Sequence, residues 1–240
     1  MAREHRREGA ASGTRITPAA VGLVGVVLVA GACSGPEEAF AEPMAEHALF
    51  DDVAFSPTSL TATLPQVTYR DGSSATTFSD LVVAGEITGW QRGRATDWST
   101  DGGREVAWSG DADSREVVVA LEVDEVVAAG DDDLDGVDVA PGDTIEVVAT
   151  LGGDADAAGD ALAGLGDVVV LVAHGPGEHR DEWWVGLGGI LLGDLDDGDL
   201  TWPVLEAAGG DLDVRDDVAD LDALRRAAEA APRTIAVGDS

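Results

Sequence analysis

Over 240 residues the chain carries 47 acidic side chains against 14 basic ones, all of them Arg, for a net charge of −33, with 45% hydrophobic residues and one cysteine. That charge repels phosphate backbones, whose affinity for proteins comes mainly from Lys and Arg displacing counterions, so nucleic acid is not an expected partner. The apolar fraction is too high for a wholly disordered acidic chain, a lone cysteine supplies no disulfide framework, and the length suits one main domain.

The first 17 residues include Arg3, Arg6, Arg7 and Arg15, and an uncharged run, PAAVGLVGVVLVAGA, follows over residues 18–32 and ends at Cys33. A basic segment before a short apolar one is the pattern of a secretory signal, and fifteen residues fall short of the roughly 20 that a permanent membrane helix needs. Ala30-Gly31-Ala32-Cys33 resembles the lipobox of bacterial lipoproteins, with Ala30 where that pattern usually has Leu. The resemblance implies cleavage after residue 32 and a diacylglyceryl group on Cys33, a firm membrane anchor because more than one acyl chain holds it. Losing residues 1–32 removes four Arg and two Glu and leaves −35.

Residues 33–60 mix Pro, Ser and acids with scattered apolar positions and read as a tether, with His47 in solvent. Short strands are expected through residues 61–205. Residues 81–90 form one, with Gly85 and Gly89 marking bulges or bends. Residues 115–127 alternate, placing Val119, Leu121 and Val123 on one face and Ala120, Glu122 and Asp124 on the other. Residues 144–150 put Ile145, Val147 and Ala149 on one side, and the apolar run 167–173 suits a more central strand. Further strands are expected at 182–187, 190–192 and 200–202, and a short helix at 157–165. In the C-terminal tail, residues 206–240, the spacing of Val218, Leu221, Leu224 and Ala228 predicts a helix over 217–231, with acids at its start and Pro232 beyond its end.

Crossover helices between successive strands are missing, which favours an all-β, mainly antiparallel fold over an α/β sheet. The succession Ser79 to Ile87, Val119 to Val123, Gly142 to Val147 and Gly166 to Leu171 resembles the OB-type barrels of netrin-like and metalloprotease-inhibitor-like domains and of bacterial secreted proteins. The resemblance implies a closed or partly open barrel with short helices and a C-terminal helix. Protease inhibition does not carry over, because the chain has no disulfides and Cys33 is assigned to the anchor.

The motifs of nucleophilic hydrolases, nucleotide-binding loops and zinc sites are missing. His174, His179, Glu178 and Glu182 form one local cluster, in a loop after the central strand. Asp131, Asp133 and Asp135 stand at positions 1, 3 and 5 of the calcium-loop pattern, with Gly136, the Val137 carbonyl and Asp138 following. Gly142 stands where the bidentate Glu belongs, so the expectation is a solvated acidic turn with at most weak calcium affinity, and no other cofactor. Trp183 and Trp184 are adjacent on an expected strand, so one ring should point outward, where with His174 and His179 it could meet a ligand.

These readings converge on a non-catalytic, membrane-anchored lipoprotein on the extracytoplasmic face that binds a protein, peptide or glycan of the envelope. The alternative is an envelope-acting enzyme, or an enzyme accessory, working through the loop from His174 to Glu182.

Overall fold

The computed structural model describes residues 36–48, 58–71, 74–99, 103–108, 111–130, 139–209 and 217–237. In chain order these give α1 (Pro36–Ala48), β1 (Val67–Asp71), β2 (Ser74–Thr76), β3 (Leu81–Asp97), β4 (Arg104–Glu105), β5 (Ser114–Ala129) and β6 (Thr144–Leu151). They continue with α2 (Ala155–Leu162), β7 (Asp167–His174), β8 (Trp183–Val185), β9 (Leu192–Asp196), β10 (Asp199–Thr201), α3 (Pro203–Ala208), α4 (Leu221–Ala230) and β11 (Arg233–Ala236). No described helix is long and apolar enough to cross a membrane.

Five strands form a ring. β3 pairs antiparallel with β5 on one edge and with β7 on the other, β5 pairs with β6, and β7 pairs with β8. Parallel pairing of β6 with β8, through Val147 with Trp183 and Val148 with Trp184, closes the circuit. The order β3-β5-β6-β8-β7 makes the expected OB-like barrel, left partly open because its closing pair is so short. β9, β10 and β4 extend the sheet to eight strands, and a separate sheet joins β11, β1 and β2.

The alternation read from the sequence becomes the barrel interior. Val117, Val119, Leu121 and Val123 of β5 are buried, as are Ile145, Val147, Ala149 and Leu151 of β6, while Glu122 and Asp124 face solvent. In β7, Val168 to Val172 are all buried, so both faces of that strand are covered. β3 must bend sharply to pair on both edges, and its register with β5 slips beside Gly85 and again at Gly89. A Cβ on Gly85 would lie 2.1 Å from the Glu122 carbonyl oxygen, so no other residue fits there.

The segment expected as a tether folds instead, over residues 36–48, into α1. Phe40, Ala41, Met44, Ala45 and Ala48 recur on one face and join the core, Phe40 and Met44 at 0% exposure. Acids at Glu37, Glu42 and Glu46 mask this stripe in the sequence. So does Pro43, which lacks an N–H and would normally disfavour a helix interior. Burial offsets that local penalty. The C-terminal segment is likewise no loose tail, because β11 pairs in parallel with β1. The two helices expected from the sequence, α2 and α4, lie slightly off their expected bounds, each starting just after an aspartate cap. Asp154 accepts from Ala157 N, and Asp220 accepts from Ala223 N, which starts α4 at Leu221 rather than at residue 217.

Phe40→Ala should lower the unfolding free energy by about 3–5 kcal/mol and Met44→Ala by about 2–5 kcal/mol, the range for emptying core sites. Urea unfolding checks this. Unchanged midpoints in both variants would mean that α1 is a detached tether.

Candidate functional site

One face of the barrel is hollow. A cleft of about 950 Å³ lies between α1, the outer ends of β3, β5 and β6, and the segment around β8, with His47, Thr96, Trp98, Glu116, Thr150 and Trp184 among its lining. A second hollow of about 510 Å³ adjoins it across Glu116 and Val148 and reaches Gln91, Glu146, Asp181 and Trp183. The larger volume lies within the range of ligand sites. Trp98 is 56% exposed, the exposed large apolar side chain among the described residues. It is nonetheless held in place: its Nε1 donates to Ser114 Oγ (2.9 Å), its backbone N–H donates to Asp113 Oδ2 (2.6 Å), and its ring lies over Gly103.

Arg94 stands where the hollows meet. Its Nε donates to Glu116 Oε2 at 2.7 Å, its Nη2 donates to Glu182 Oε2 at 2.8 Å, and its Nη1 meets the His179 ring. The guanidinium also sits 5.6 Å from the Trp184 ring centroid. Glu182 takes a further bond from Trp184 Nε1 (3.2 Å), and its Oε1 lies 3.0 Å from His179 Nδ1. Burial works against ionisation of Glu182, but hydrogen bonds from His179 and Trp184 and the charge of Arg94 outweigh it and hold its carboxyl below the usual value. Burial also works against the charge on Arg94, and there the bonds to Glu116 and Glu182 prevail.

The sequence-predicted residues divide. Trp184 lines the larger cleft and Trp183 the smaller one, so the adjacent rings do point to different sides. His179 belongs to the Arg94 network. His174 stacks on Trp183 at 4.3 Å, its backbone N–H donates to Asp80 Oδ2, and its ring nitrogens, shut off from solvent, find no hydrogen-bond partner among the described residues. His174 is therefore a packing residue behind the site. His47, expected in solvent, lines the cleft instead. Asp131, Asp133, Asp135, Val137 and Asp138 lie outside the described residues, as do Cys33 and the signal segment. Among the described residues no group of three His, Cys, Asp or Glu side chains is placed to hold a metal ion.

Sequence reading missed Trp98, Asp113, Arg94 and Glu116. Strand alternation gives no sign that β3 runs on along β5 as far as Thr96, bringing these residues together. A signal was available in the barrel itself, since OB folds bind ligands on the face of their second and third strands and on the loops flanking it. Those strands are β5 and β6 here, and the corresponding loops hold Trp98, Asp113 and His179.

The chain matches no family model, no curated protein and no solved structure.

Because the Glu182 carboxyl is held below its unfolded value, it contributes stability that is present above the unfolded pKa of about 4.3 and lost as pH falls through the folded value. The wild type should be more stable than Glu182→Gln at neutral pH, by less than about 1 kcal/mol given its exposure to solvent, and the gap should close in acid. Urea titrations across this range test the sign. A gap that widens as pH falls would contradict it.

Proposed function

We propose that this chain is a lipid-anchored, extracytoplasmic binding module that holds a protein, peptide or glycan in the cleft beside Trp98. The supporting observation is the cleft itself. It offers an exposed but anchored indole and a second indole at Trp184 within a volume suited to a ligand, on the face that OB barrels use. Preorganised aromatic rings supply contact area at small entropic cost. Polar groups between them give orientation. Thr150 Oγ1, shut off from solvent, has no hydrogen-bond partner among the described residues. The anchor and its location rest on the sequence: the basic segment, the short apolar run and the lipobox-like residues ending at Cys33.

The enzymatic alternative needs a reactive group in the loop containing His179 and Glu182. Glu182 Oε2 already accepts from Arg94 and Trp184, and Oε1 meets His179, so the carboxylate is occupied by structural partners. That arrangement favours a rigid wall over an acid or base.

Intrinsic tryptophan fluorescence, titrated with envelope oligosaccharides and peptides, should show saturable binding by the wild type and at least about tenfold weaker binding by Trp98→Ala, as for an aromatic anchor. Melting temperature should barely move, because Trp98 lies at the surface. Equal affinity in both proteins would remove the cleft from the assignment. Separately, Cys33→Ala should abolish incorporation of labelled fatty acid and release the protein from membranes; equal labelling of wild type and variant would remove the anchor.

A further inference from the structure

The joined hollows are rich in carboxylates and poor in cations. Among the described lining residues, Asp113, Glu116, Glu146, Asp181 and Glu182 stand against one guanidinium, that of Arg94. Arg94 is already engaged by Glu116, Glu182 and His179. Asp113, Glu146 and Asp181 have no ion-pair partner among the described residues. Ionised carboxylates only accept hydrogen bonds and repel an anion, and although a glycan hydroxyl can donate to them, it brings no positive charge to balance them. A Lys ammonium brings three donors and no acceptor, and an Arg guanidinium brings five. Their methylene stems can lie along an indole while the cationic head reaches a carboxylate, which is the arrangement Trp98 and Asp113 present side by side. The unpaired carboxylates are spread over two adjoining hollows rather than gathered at one point. One amine would leave most of them unused.

Resting on the binding function proposed above, we infer that the ligand is an extended peptide segment of a partner protein carrying Lys or Arg side chains, seated along the groove from Trp98 and Asp113 to Glu146 and Asp181. The net charge of −33 reinforces this locally built preference by steering cations toward the chain.

Calorimetric titration of the full chain at about 150 mM salt, where long-range attraction is largely screened, tests the inference with three probes: a peptide alternating Lys and Ala, its Glu counterpart, and a neutral wall hexasaccharide. The Lys peptide should bind and the Glu peptide should not. Asp113→Asn, which keeps an oxygen for the Trp98 N–H, should weaken the Lys peptide about three- to tenfold, and Trp98→Ala at least about tenfold. Glu86→Gln, an exposed acid of β3 outside the groove, should change affinity less than about twofold. Equal losses in Asp113→Asn and Glu86→Gln would reduce the attraction to nonspecific charge and overturn the inference. Trp98-dependent binding of the hexasaccharide without binding of the Lys peptide would also overturn it while leaving the binding function intact. No Trp98-dependent binding of any probe would overturn both.

Discussion

Much of this molecule depends on one strand being paired on both edges. Over Leu81 to Glu86, β3 holds β5 on one side and β7 on the other, and this double pairing turns a meander into a ring. It requires a strand apolar enough to be buried on both sides and able to bend, and the slips in register beside Gly85 and at Gly89 provide the bend. Beyond Glu86, β7 has ended, while β3 continues along β5 as far as Thr96 and Ser114, with β6 on the other edge of β5 from Arg115 to Glu122. The cleft lies beside this extension, lined by Thr96, Glu116 and Thr150 and by Trp184 and Val185 of the short β8, so the closure of the fold and the opening of the site share the same strands.

The scarce cations are placed at junctions. Arg92 joins β3 to Asp156 of α2, Arg225 joins α4 to Glu125 of β5, and Arg94 joins β3 to both Glu116 and Glu182. The first of these pairs is half exposed and contributes little to stability. Such pairs set orientation, while burial of the Val, Leu and Ile faces and of Phe40, Met44 and Trp202 supplies the driving force. Using Arg in this way leaves Asp113, Glu146 and Asp181 without an ion-pair partner among the described residues. The same shortage that makes the chain so acidic therefore gives the groove its sign.

What could be read from the sequence follows from the range of each signal. Alternation in β5 and β6 and the unbroken apolar run of β7 are local patterns enforced by burial, and they were legible. The C-terminal helix was legible from its spacing and its acids, though its start was displaced because Asp220 serves as the cap rather than lying within the helix. α1 was not legible, since its stability comes from tertiary contacts that override Pro43 and the intervening acids. Trp183, Trp184 and His179 could be singled out because they are neighbours in the chain. Arg94 and Glu116 could not, because they lie on different strands and acquire meaning only from the register that brings them together.

The same network favours the proposed binding function over catalysis. A general acid or base works best with a pKa near the operating pH and with a proton path to substrate. Glu182 is moved the other way, below its usual value, by partners that also occupy its oxygens. Arg94, charged throughout and tied to two carboxylates, cannot swing to stabilise a developing negative charge without breaking its own bonds. Groups fixed so firmly make a poor reaction centre but a good wall, because a rigid, partly dry surface presents its remaining free acceptors at little entropic cost to an incoming chain. Asp113 and the exposed face of Trp98 lie at the edge of that wall, and under the proposed binding function they are the groups left to meet a ligand.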